Sequence, residues 1–365
     1  MTRLDWLSGI GALAICATAA GANFAPTTPA QLVANMMTAN ANGEDDIIDL
    51  GGQTFTLTAI NNTVDGKTGL PGVEGDTHSI LLRNGTIDRV AVSGFRLLRV
   101  GADGSLQIEN VVLVHGDASP ASGGAIFNRG ILTLRRTRLI DNASALRGGA
   151  VYNASTGFLT MSDSLASGNT ANDGGALYND GGFIGSLANV TLSGNTAISS
   201  GGALYNTGLV DGLTNSTITR NTAVSGGGIA GQSAPIEEMH STIIAENTAQ
   251  FGPDLDEVGV LAESMNIVGV TSNSAFVAGA PNVNGSWVGT AVAPMDPGLE
   301  ALADNGGPTA THALEPGSLA FNHGANPLGL MFDQRGDPHP RTLDGATDVG
   351  AYESARDVFK DGFEN

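Results

Sequence analysis

The sequence predicts an all-β protein, a right-handed parallel β-helix of about 26 residues per coil with a cap at each end. Two repeated landmarks lead to this prediction. A Gly-Gly motif that continues through apolar and aromatic residues to Asn starts at Gly123, Gly148, Gly174, Gly201 and, in weakened form, Gly226. A column of asparagines comprises Asn142, Asn169, Asn195, Asn221 and Asn247. Two landmarks that share one period indicate a single structural unit, repeated and stacked.

The residues between the landmarks favour strands and turns. Residues 131–134 (ILTL) and 189–192 (NVTL) are rich in Thr, Val, Leu and Ile, and Gly and Asn separate such runs. A leucine-rich repeat has a similar period, but it requires a helical return segment and a dense leucine frame that these units lack. We therefore expect three short strands per coil, about 4.8 Å between coils, and the right-handed crossover that parallel strands prefer.

Each repeated position has a structural interpretation. An apolar residue expected to face inward lies three positions before each landmark asparagine: Leu139, Ala166, Leu192, Ile218 and Ile244. The asparagines are expected to adopt the left-handed conformation at a bend and to form a ladder of amide hydrogen bonds between coils. Asp117 is expected to start this ladder one coil earlier. An aromatic column expected to stack along the axis, with sugar binding as the alternative, comprises Phe127, Tyr152, Tyr178 and Tyr205.

The GGA(I/L)(Y/F)N and (S/G)NTA repeats of residues 123–250 resemble those of secreted bacterial β-helix proteins. These include the polymorphic outer-membrane-protein repeats of chlamydial autotransporter passengers. The resemblance implies the β-helix architecture and no particular activity. We divide the chain into a signal peptide (1–22), an N-terminal cap (23–60), the parallel β-helix (61–275), a C-terminal cap or anchor-type region (276–353) and a tail (354–365).

The N-terminus has the pattern of an export signal. Arg3 supplies a positive charge, residues 7–20 are uncharged and mainly apolar, and Ala20-Gly21-Ala22 fits a cleavage site. The mature chain is expected to begin at Asn23, outside the cell or on the outer-membrane surface of a Gram-negative bacterium. Lipidation of Cys16, the single cysteine, is the alternative, because residues 13–16 (LAIC) resemble a lipoprotein box. No later segment has the length of apolar sequence that a transmembrane helix needs.

The mature chain begins with a cap-like sequence. Residues 29–42 are predicted to form a helix, and residues 45–50 and 54–58 are predicted to form strands. The arrangement resembles the N-terminal segment of CSLREA-type bacterial β-helix proteins. It departs from them at residues 31–35 (QLVAN), which replace the Cys-x-Leu-Arg-Glu core of that signature.

The C-terminal part contains four motifs in order: residues 302–309 (LADNGGPT), 311–318 (THALEPGS), 333–336 (DQRG) and 348–353 (DVGAYE). The series resembles the choice-of-anchor region of bacterial surface β-helix proteins. It implies a C-terminal cap followed by a sorting or anchoring signal, with the tail as that signal. Asp333 and Arg335 are expected to brace this cap internally.

The charge balance limits the partners and cofactors. The formal net charge is −20, and Lys67 and Lys360 are the only lysines. This argues against binding to nucleic acid or to an anionic membrane surface. The glycine-rich calcium nonapeptide is absent and the six histidines are scattered, so we predict no metal site and no cofactor.

A local group of arginines departs from the acidic composition: Arg129, Arg135, Arg136, Arg138 and Arg147. Such a group is a candidate site for uronate or sulfate groups of a glycan, with a solvated, charge-balanced face as the alternative. The repeat places Asp163 opposite Arg136 and Glu246 opposite Arg220, which predicts surface ion pairs rather than paired ionised carboxylates.

The function that the sequence favours is structural or adhesin-like, with no catalytic residue. The expected partner is an extracellular polysaccharide or another cell-surface molecule, together with sorting or anchoring machinery that acts on the tail. The alternative is a polysaccharide lyase or glycoside hydrolase of the pectin-lyase-like type, which would need clustered carboxylates and a basic residue.

Overall fold

The computed structural model describes residues 21–354 apart from residues 76, 77, 233, 272, 273 and 275. Residues 1–20, which include Cys16 and most of the predicted signal peptide, and residues 355–365 lie outside the described residues, so the predictions about export and anchoring remain predictions. The predicted fold class is confirmed. Parallel coils stack into a β-helix of about nine turns, each of about 26 residues. Within the described residues, α1 (Pro29–Ala39) is the only helix.

Two of the three strand columns belong to one 16-stranded sheet. Its strands are β1 (Asn23–Phe24), β2 (Asp46–Asp49), β3 (Thr54–Leu57), β4 (Ser79–Arg89), β6 (Ser105–Val114), β8 (Ile131–Arg135), β9 (Arg138–Ile140), β11 (Phe158–Ser167), β14 (Phe183–Ser193), β17 (Leu209–Thr214), β18 (Thr217–Thr219), β20 (Pro235–His240), β21 (Ile243–Ala245), β23 (Gly259–Ser264), β24 (Ile267–Val268) and β25 (Trp287–Val288). The pairing is parallel throughout, as stacked coils require.

The third column is a seven-stranded parallel sheet, and its five central strands come from the Gly-Gly motifs. Its strands are β5 (Leu98–Val100), β7 (Ile126–Asn128), β10 (Val151–Asn153), β13 (Leu177–Asn179), β16 (Leu204–Asn206), β19 (Ile229–Gly231) and β22 (Leu255–Asp256). Two smaller pairs complete the strands, β12 (Thr170–Asp173) with β15 (Thr196–Ser200), and the antiparallel hairpin β26 (Leu299–Ala303) with β27 (Thr311–Leu314).

The interior is a stack of aliphatic side chains contributed by all three columns. Leu132, Leu159 and Ile184 form one inward row, and each is at most 1% exposed. The N-terminal end is closed by α1, whose Leu32 and Met36 join the same buried cluster. Thr28 caps this helix by accepting a hydrogen bond from the Gln31 N–H, and Pro29 occupies the first turn, where its missing N–H costs nothing.

Left-handed residues mark two bends in each coil. The first bend separates the first and second columns at Asn110, Arg136, Asp163, Asn189, Asn215, Ser241 and Met265. The second bend lies at His115, Asp141, Gly168, Gly194, Arg220 and Glu246, one residue before the ladder position. The expectation that the ladder asparagines themselves are left-handed is therefore wrong. A left-handed residue directs its side chain outward, which suits charged residues, and the following asparagine turns inward.

The landmark asparagines form a hydrogen-bonded ladder along this corner. From Asn142 to Asn221, each side-chain Nδ2 donates to the Oδ1 of the next asparagine at 2.9–3.0 Å. The same Oδ1 accepts the backbone N–H of the preceding asparagine. Each Nδ2 also donates to a carbonyl of the preceding coil. Because Asn195 and its neighbours Asn169 and Asn221 are fully buried, these bonds have no competition from water.

The ladder starts at Asn142, and the prediction that Asp117 begins it is wrong. Asp117 pairs with Ala143, so Gly116 is the residue that lies opposite Asn142. The Gly116 backbone N–H donates to Asn142 Oδ1 at 2.9 Å. Gly116 and Asn142 are 26 residues apart, which is one full coil. The prediction was in error by one residue, and such an error in register moves a side chain to the opposite face.

A carboxylate closes the other end of the ladder. Asp254 Oδ1 accepts from the Asn247 Nδ2 at 2.8 Å, and its Oδ2 accepts from the Val270 N–H at 2.7 Å. Burial raises the pKa of Asp254 to about 6. The Asp254 carboxyl therefore keeps its proton up to a higher pH in the folded protein than in the unfolded chain.

This site predicts a pH dependence of stability. Because the pKa of Asp254 is higher in the folded protein than in the unfolded chain, its protonation contributes to the free energy of unfolding. This contribution is largest below pH 4 and is lost as the pH rises through about 6. Asp254→Asn removes this titration, so its free energy of unfolding should depend on pH less steeply by up to about 1.4 kcal/mol per pH unit near pH 5. Urea unfolding of both proteins between pH 4 and pH 8 measures the difference, and parallel curves would contradict the assignment.

The C-terminal region packs along the side of the solenoid. Hydrogen bonds attach it to the outward side of the second strand column through Asn189, Thr191, Ser193, Asn215, Thr217 and Ser241. The last strand of the stack is β25, which pairs with β24. Thr191 and Thr217 face outward from their strands but are buried, because the C-terminal region covers them.

Candidate functional site

The aromatic column is stacked along the axis. The ring centroids of Phe127, Tyr152, Tyr178 and Tyr205 are separated by 5.0, 5.7 and 5.0 Å, with interplanar angles near 20°. Each inner ring therefore has its faces covered by neighbouring rings. The Arg96 guanidinium covers Phe127 at 4.8 Å from the ring centroid. A sugar ring that stacks on an aromatic face finds little open face here, which favours the structural interpretation of this column.

Charged neighbours surround Tyr152 and Tyr178. Tyr152 donates to Asp180, and Asp180 also lies 3.6 Å from the guanidinium of Arg147. Arg147 in turn covers the Tyr178 ring at 4.8 Å. Burial raises the pKa of Tyr178 to about 12, so this phenol remains protonated and is no general base at neutral pH.

The structure places the five candidate arginines at different corners of their coil. Arg129 follows β7 and its guanidinium lies 3.3 Å from Asp65. Arg147 precedes β10 and contacts Asp180 and the tyrosines. Arg135 ends β8, Arg136 is the left-handed residue of the first bend, and Arg138 begins β9. Arg138 is exposed and forms no ion pair with any described residue.

Two carboxylates converge on the arginines of the first bend. Glu109 accepts from Arg136 and lies 3.4 Å from Arg135. On the other side of these arginines, Asp163 lies 3.8 Å from Arg135 and accepts from Asn189 at 3.1 Å. Burial raises the pKa of Asp163 above its ordinary value. The two carboxylates are thus separated by the guanidinium groups that neutralise them, and they share no proton between them.

The other predicted pair has the expected geometry, since Arg220 Nε lies 3.0 Å from Glu246. Sequence reasoning missed Glu109 because its coil precedes the first landmark asparagine. In the structure, the register of β6 and β8 places Glu109 directly beside Arg135. A continuous 26-residue period extended backward from Asn142 would have found it.

A second asparagine ladder was also missed. Asn128, Asn153, Asn179 and Asn206 end the Gly-Gly motifs, and their amides hydrogen-bond in series at 2.7–2.8 Å. All four are at most 1% exposed. The signal was present in the sequence, because the last residue of each motif is an asparagine and an inward-facing amide requires a partner.

The histidines near the C-terminus do not meet. His312 Nδ1 donates to the Glu300 carbonyl at 2.7 Å, so its Nε2 accepts from the Ser193 hydroxyl at 2.9 Å. Burial lowers the pKa of His312 to about 4. His323 packs against Trp287, and His339 bonds to the Gly306 carbonyl. No group of three or more candidate metal ligands occurs among the residues that the structure describes.

The outward side of the first column carries an apolar row in which Ile131 and Phe158 are exposed and Phe183 and Leu209 are half-buried. Ile131, Phe158, Phe183 and Leu209 occupy equivalent positions on successive coils. Ile131 is 51% and Phe158 37% exposed. The Phe158 and Phe183 rings are tilted by 35° with centroids 5.1 Å apart, so their faces are only partly covered by each other. Beside them, Thr160 Oγ1 donates to Thr133 Oγ1 at 3.2 Å.

A β-bulge positions these rings. Leu159 pairs with Ile184 and Thr160 with Ser186, so Gly185 is an extra residue in β14. A Cβ on Gly185 would lie 2.8 Å from the tip of the Phe158 ring. Glycine therefore lets the ring lie over the strand, and the bulge redirects the side chains on either side. We call the row Ile131, Phe158, Phe183 and Leu209, with the hydroxyls of Thr133 and Thr160, the Phe158 face.

Comparison with protein-family models finds a match within the β-helix. A model of the Chlamydia polymorphic membrane protein repeat matches residues 189–207. This stretch runs from the first bend at Asn189 through the ladder residue Asn195 to the second-ladder residue Asn206, so it corresponds to most of one coil. Neither the curated proteins nor the solved structures contain a match. In the part of the chain that the structure describes, no helix has the length and apolar content needed to cross a membrane.

Proposed function

We propose that the chain is an exported β-helix protein of the bacterial outer surface with a structural, adhesin-like role. The repeat match to Chlamydia polymorphic membrane proteins and the export-like N-terminus support the location. Two internal ladders and an aromatic stack support the role of a stiff rod, because the coils from Asn128 to Asn247 are bonded to one another through buried side chains. The tail is the proposed contact with sorting or anchoring machinery.

The observation that carries the adhesive role is the Phe158 face. It presents two partly open aromatic rings next to a row of hydroxyls, along a line parallel to the axis. Aromatic rings bind the C–H faces of sugars, and adjacent hydroxyls pair with sugar hydroxyls. We propose an extracellular polysaccharide that lies along this face as the partner.

The charge distribution favours a neutral polysaccharide. Four of the five candidate arginines are already paired with carboxylates, and the chain as a whole carries a net charge of −20. An acidic glycan would be repelled at long range and would have to displace those carboxylates. Arg138, which is exposed, is the arginine that remains available to an acidic group.

A second candidate function, cleavage of a polysaccharide, is favoured by the convergence of Glu109 and Asp163 on Arg135 and Arg136. The raised pKa of Asp163 is a property that general acids share. Against this, a hydrolase needs two carboxyl groups facing one bond within about 5–9.5 Å, without cations between them. We therefore rank binding above cleavage.

The double substitution Phe158→Ala/Phe183→Ala tests the proposed face. A glycan array and a solution titration with the bound polysaccharide should show at least tenfold weaker binding, about 1.4 kcal/mol, because both stacking surfaces are removed. Phe251→Ala is the matched control, since Phe251 is an exposed phenylalanine, 56% accessible, on another corner. Equal losses in the two proteins would contradict the proposal.

A further inference from the structure

A solvent-open cavity of about 460 Å³ lies at the surface where the end of the solenoid meets the C-terminal region. Its apolar lining comes from Trp287 in β25, from Met295 and from Leu319. Two carboxylate residues, Asp296 and Glu315, also line it. This combination of an apolar wall with a few polar groups is the one that small-ligand sites use.

The carboxylates of this cavity are not neutralised. Asp296 accepts one hydrogen bond, from the Gly298 N–H at 2.9 Å, and both acidic residues are exposed. Neither forms an ion pair with a described Arg, Lys or His residue. They contrast with Glu109, Asp163 and Glu246, each of which has an arginine beside it. Two uncompensated negative charges on a strongly acidic chain create a local potential that attracts cations.

The aromatic wall adds a second preference for positive charge. Trp287 is partly exposed, and the His323 ring meets it edge to face, with centroids 5.6 Å apart. A cation within about 6 Å of an indole centroid is attracted by the ring quadrupole, and tryptophan is the best of the aromatic side chains for this. Met295 and Leu319 provide apolar contact for carbon groups attached to the charge.

We propose that this cavity binds an organic cation, an ammonium group that carries methyl or methylene groups. The carboxylates attract the charge, the indole face holds it, and the apolar side chains pack against the attached carbons. The proposal uses none of the residues of the Phe158 face, so it stands or fails independently of the adhesive role.

The fluorescence of Trp287, which lines the cavity, can be used to measure ligand binding. Trp287 is one of two tryptophans, so in the full chain with Trp6→Phe the tryptophan fluorescence reports on the cavity alone. This protein is titrated with choline, a quaternary ammonium ion, and with cadaverine, which has primary ammonium groups like those of lysine. The neutral isostere of choline, 3,3-dimethylbutan-1-ol, is the control ligand. We expect a saturable change in emission with at least one cation and at least tenfold weaker binding of the neutral alcohol.

Substitutions then locate the binding. Asp296→Asn and Glu315→Gln should each weaken cation binding several-fold, and the two together should weaken it at least tenfold. Asp211→Asn, which removes another exposed carboxylate, from the solenoid, should leave cation binding unchanged. An unchanged Trp287 emission maximum in the ligand-free variants shows that the cavity is intact. Saturable binding of choline alone or of cadaverine alone identifies the kind of ammonium group. No saturable response, equal binding of the neutral alcohol, or equal losses with Asp211→Asn would overturn the proposal.

Discussion

Replacing Arg341 by methionine should destabilise the C-terminal region by about 3–5 kcal/mol at neutral pH. Arg341 is fully buried and lies 2.7 Å from Glu353, which is 2% exposed. Its guanidinium also donates to the Gly350 carbonyl at 2.7 Å and the Asp348 carbonyl at 3.1 Å. Without the arginine, a buried carboxylate and these carbonyls lose their partners, and the cost of such groups is several times that of a surface pair.

The loss should be visible where the region attaches to the solenoid. The Ala351 N–H donates to Thr217 Oγ1 at 3.0 Å, so its hydrogen exchange in Arg341→Met should accelerate. Burial raises the pKa of Glu353 to about 7, so this carboxyl is protonated below that pH and the cost of losing the arginine becomes smaller at pH 5.

Two further proteins separate charge from general damage. Adding Glu353→Gln to Arg341→Met removes the buried charge but keeps an acceptor for the Asp348 N–H, so part of the stability should return. Arg83→Met breaks a half-exposed pair with Asp49 and should cost less than about 1 kcal/mol. If Arg341→Met and Arg83→Met were equally stable, the buried pair would contribute no more to stability than the half-exposed pair, which would contradict the prediction.

Replacing Asn195 by alanine should cost about 2–5 kcal/mol, because the substitution interrupts the first ladder at its centre. The Asn195 amide accepts from the Asn169 N–H at 3.0 Å and donates to Asn221 Oδ1 at 2.9 Å and to the Ala166 carbonyl at 3.0 Å. Alanine leaves these buried groups unpaired in an interior that water does not reach.

The form of the unfolding transition provides a second readout. A solenoid is stabilised by contacts between neighbouring coils, so a weak central interface separates the two halves. Asn195→Ala should therefore broaden the denaturant transition as well as shift it. Asn172→Ala is the control, since among the described residues the Asn172 side chain bonds only its neighbour Asp173, at 2.9 Å. A single sharp transition with an unchanged midpoint in Asn195→Ala would show that the ladder contributes little.

The period of the sequence was sufficient to predict the coils. Any two residues one period apart must be neighbours in a solenoid, so Glu246 could be paired with Arg220 before the fold was known. The same reasoning paired Asp163 with Arg136. In the structure, Asp163 forms its ion pair with Arg135, and Arg136 pairs with Glu109. Long arginine side chains reach across a coil in either direction, and the register alone does not decide between them.

Contacts that ignore the period could not be predicted in this way. The C-terminal region bonds to Thr191 through Gln334, a separation of 143 residues, and nothing periodic connects these positions. The Phe158 face depends on the extra residue Gly185, which shifts the register within one strand. The cavity beside Trp287 likewise combines the end of the solenoid with a non-repeated loop.

The central claim, that this β-helix binds a polysaccharide without cleaving it, is tested by one incubation. The purified full chain is mixed with a panel of neutral and acidic polysaccharides, with and without Ca²⁺, and bound polymer is recorded together with unsaturated and reducing-end products. We predict binding that requires Phe158 and Phe183, with no product. Product that forms with the unchanged protein and disappears in Arg136→Ala or Asp163→Ala would contradict the claim and make the first bend an active site.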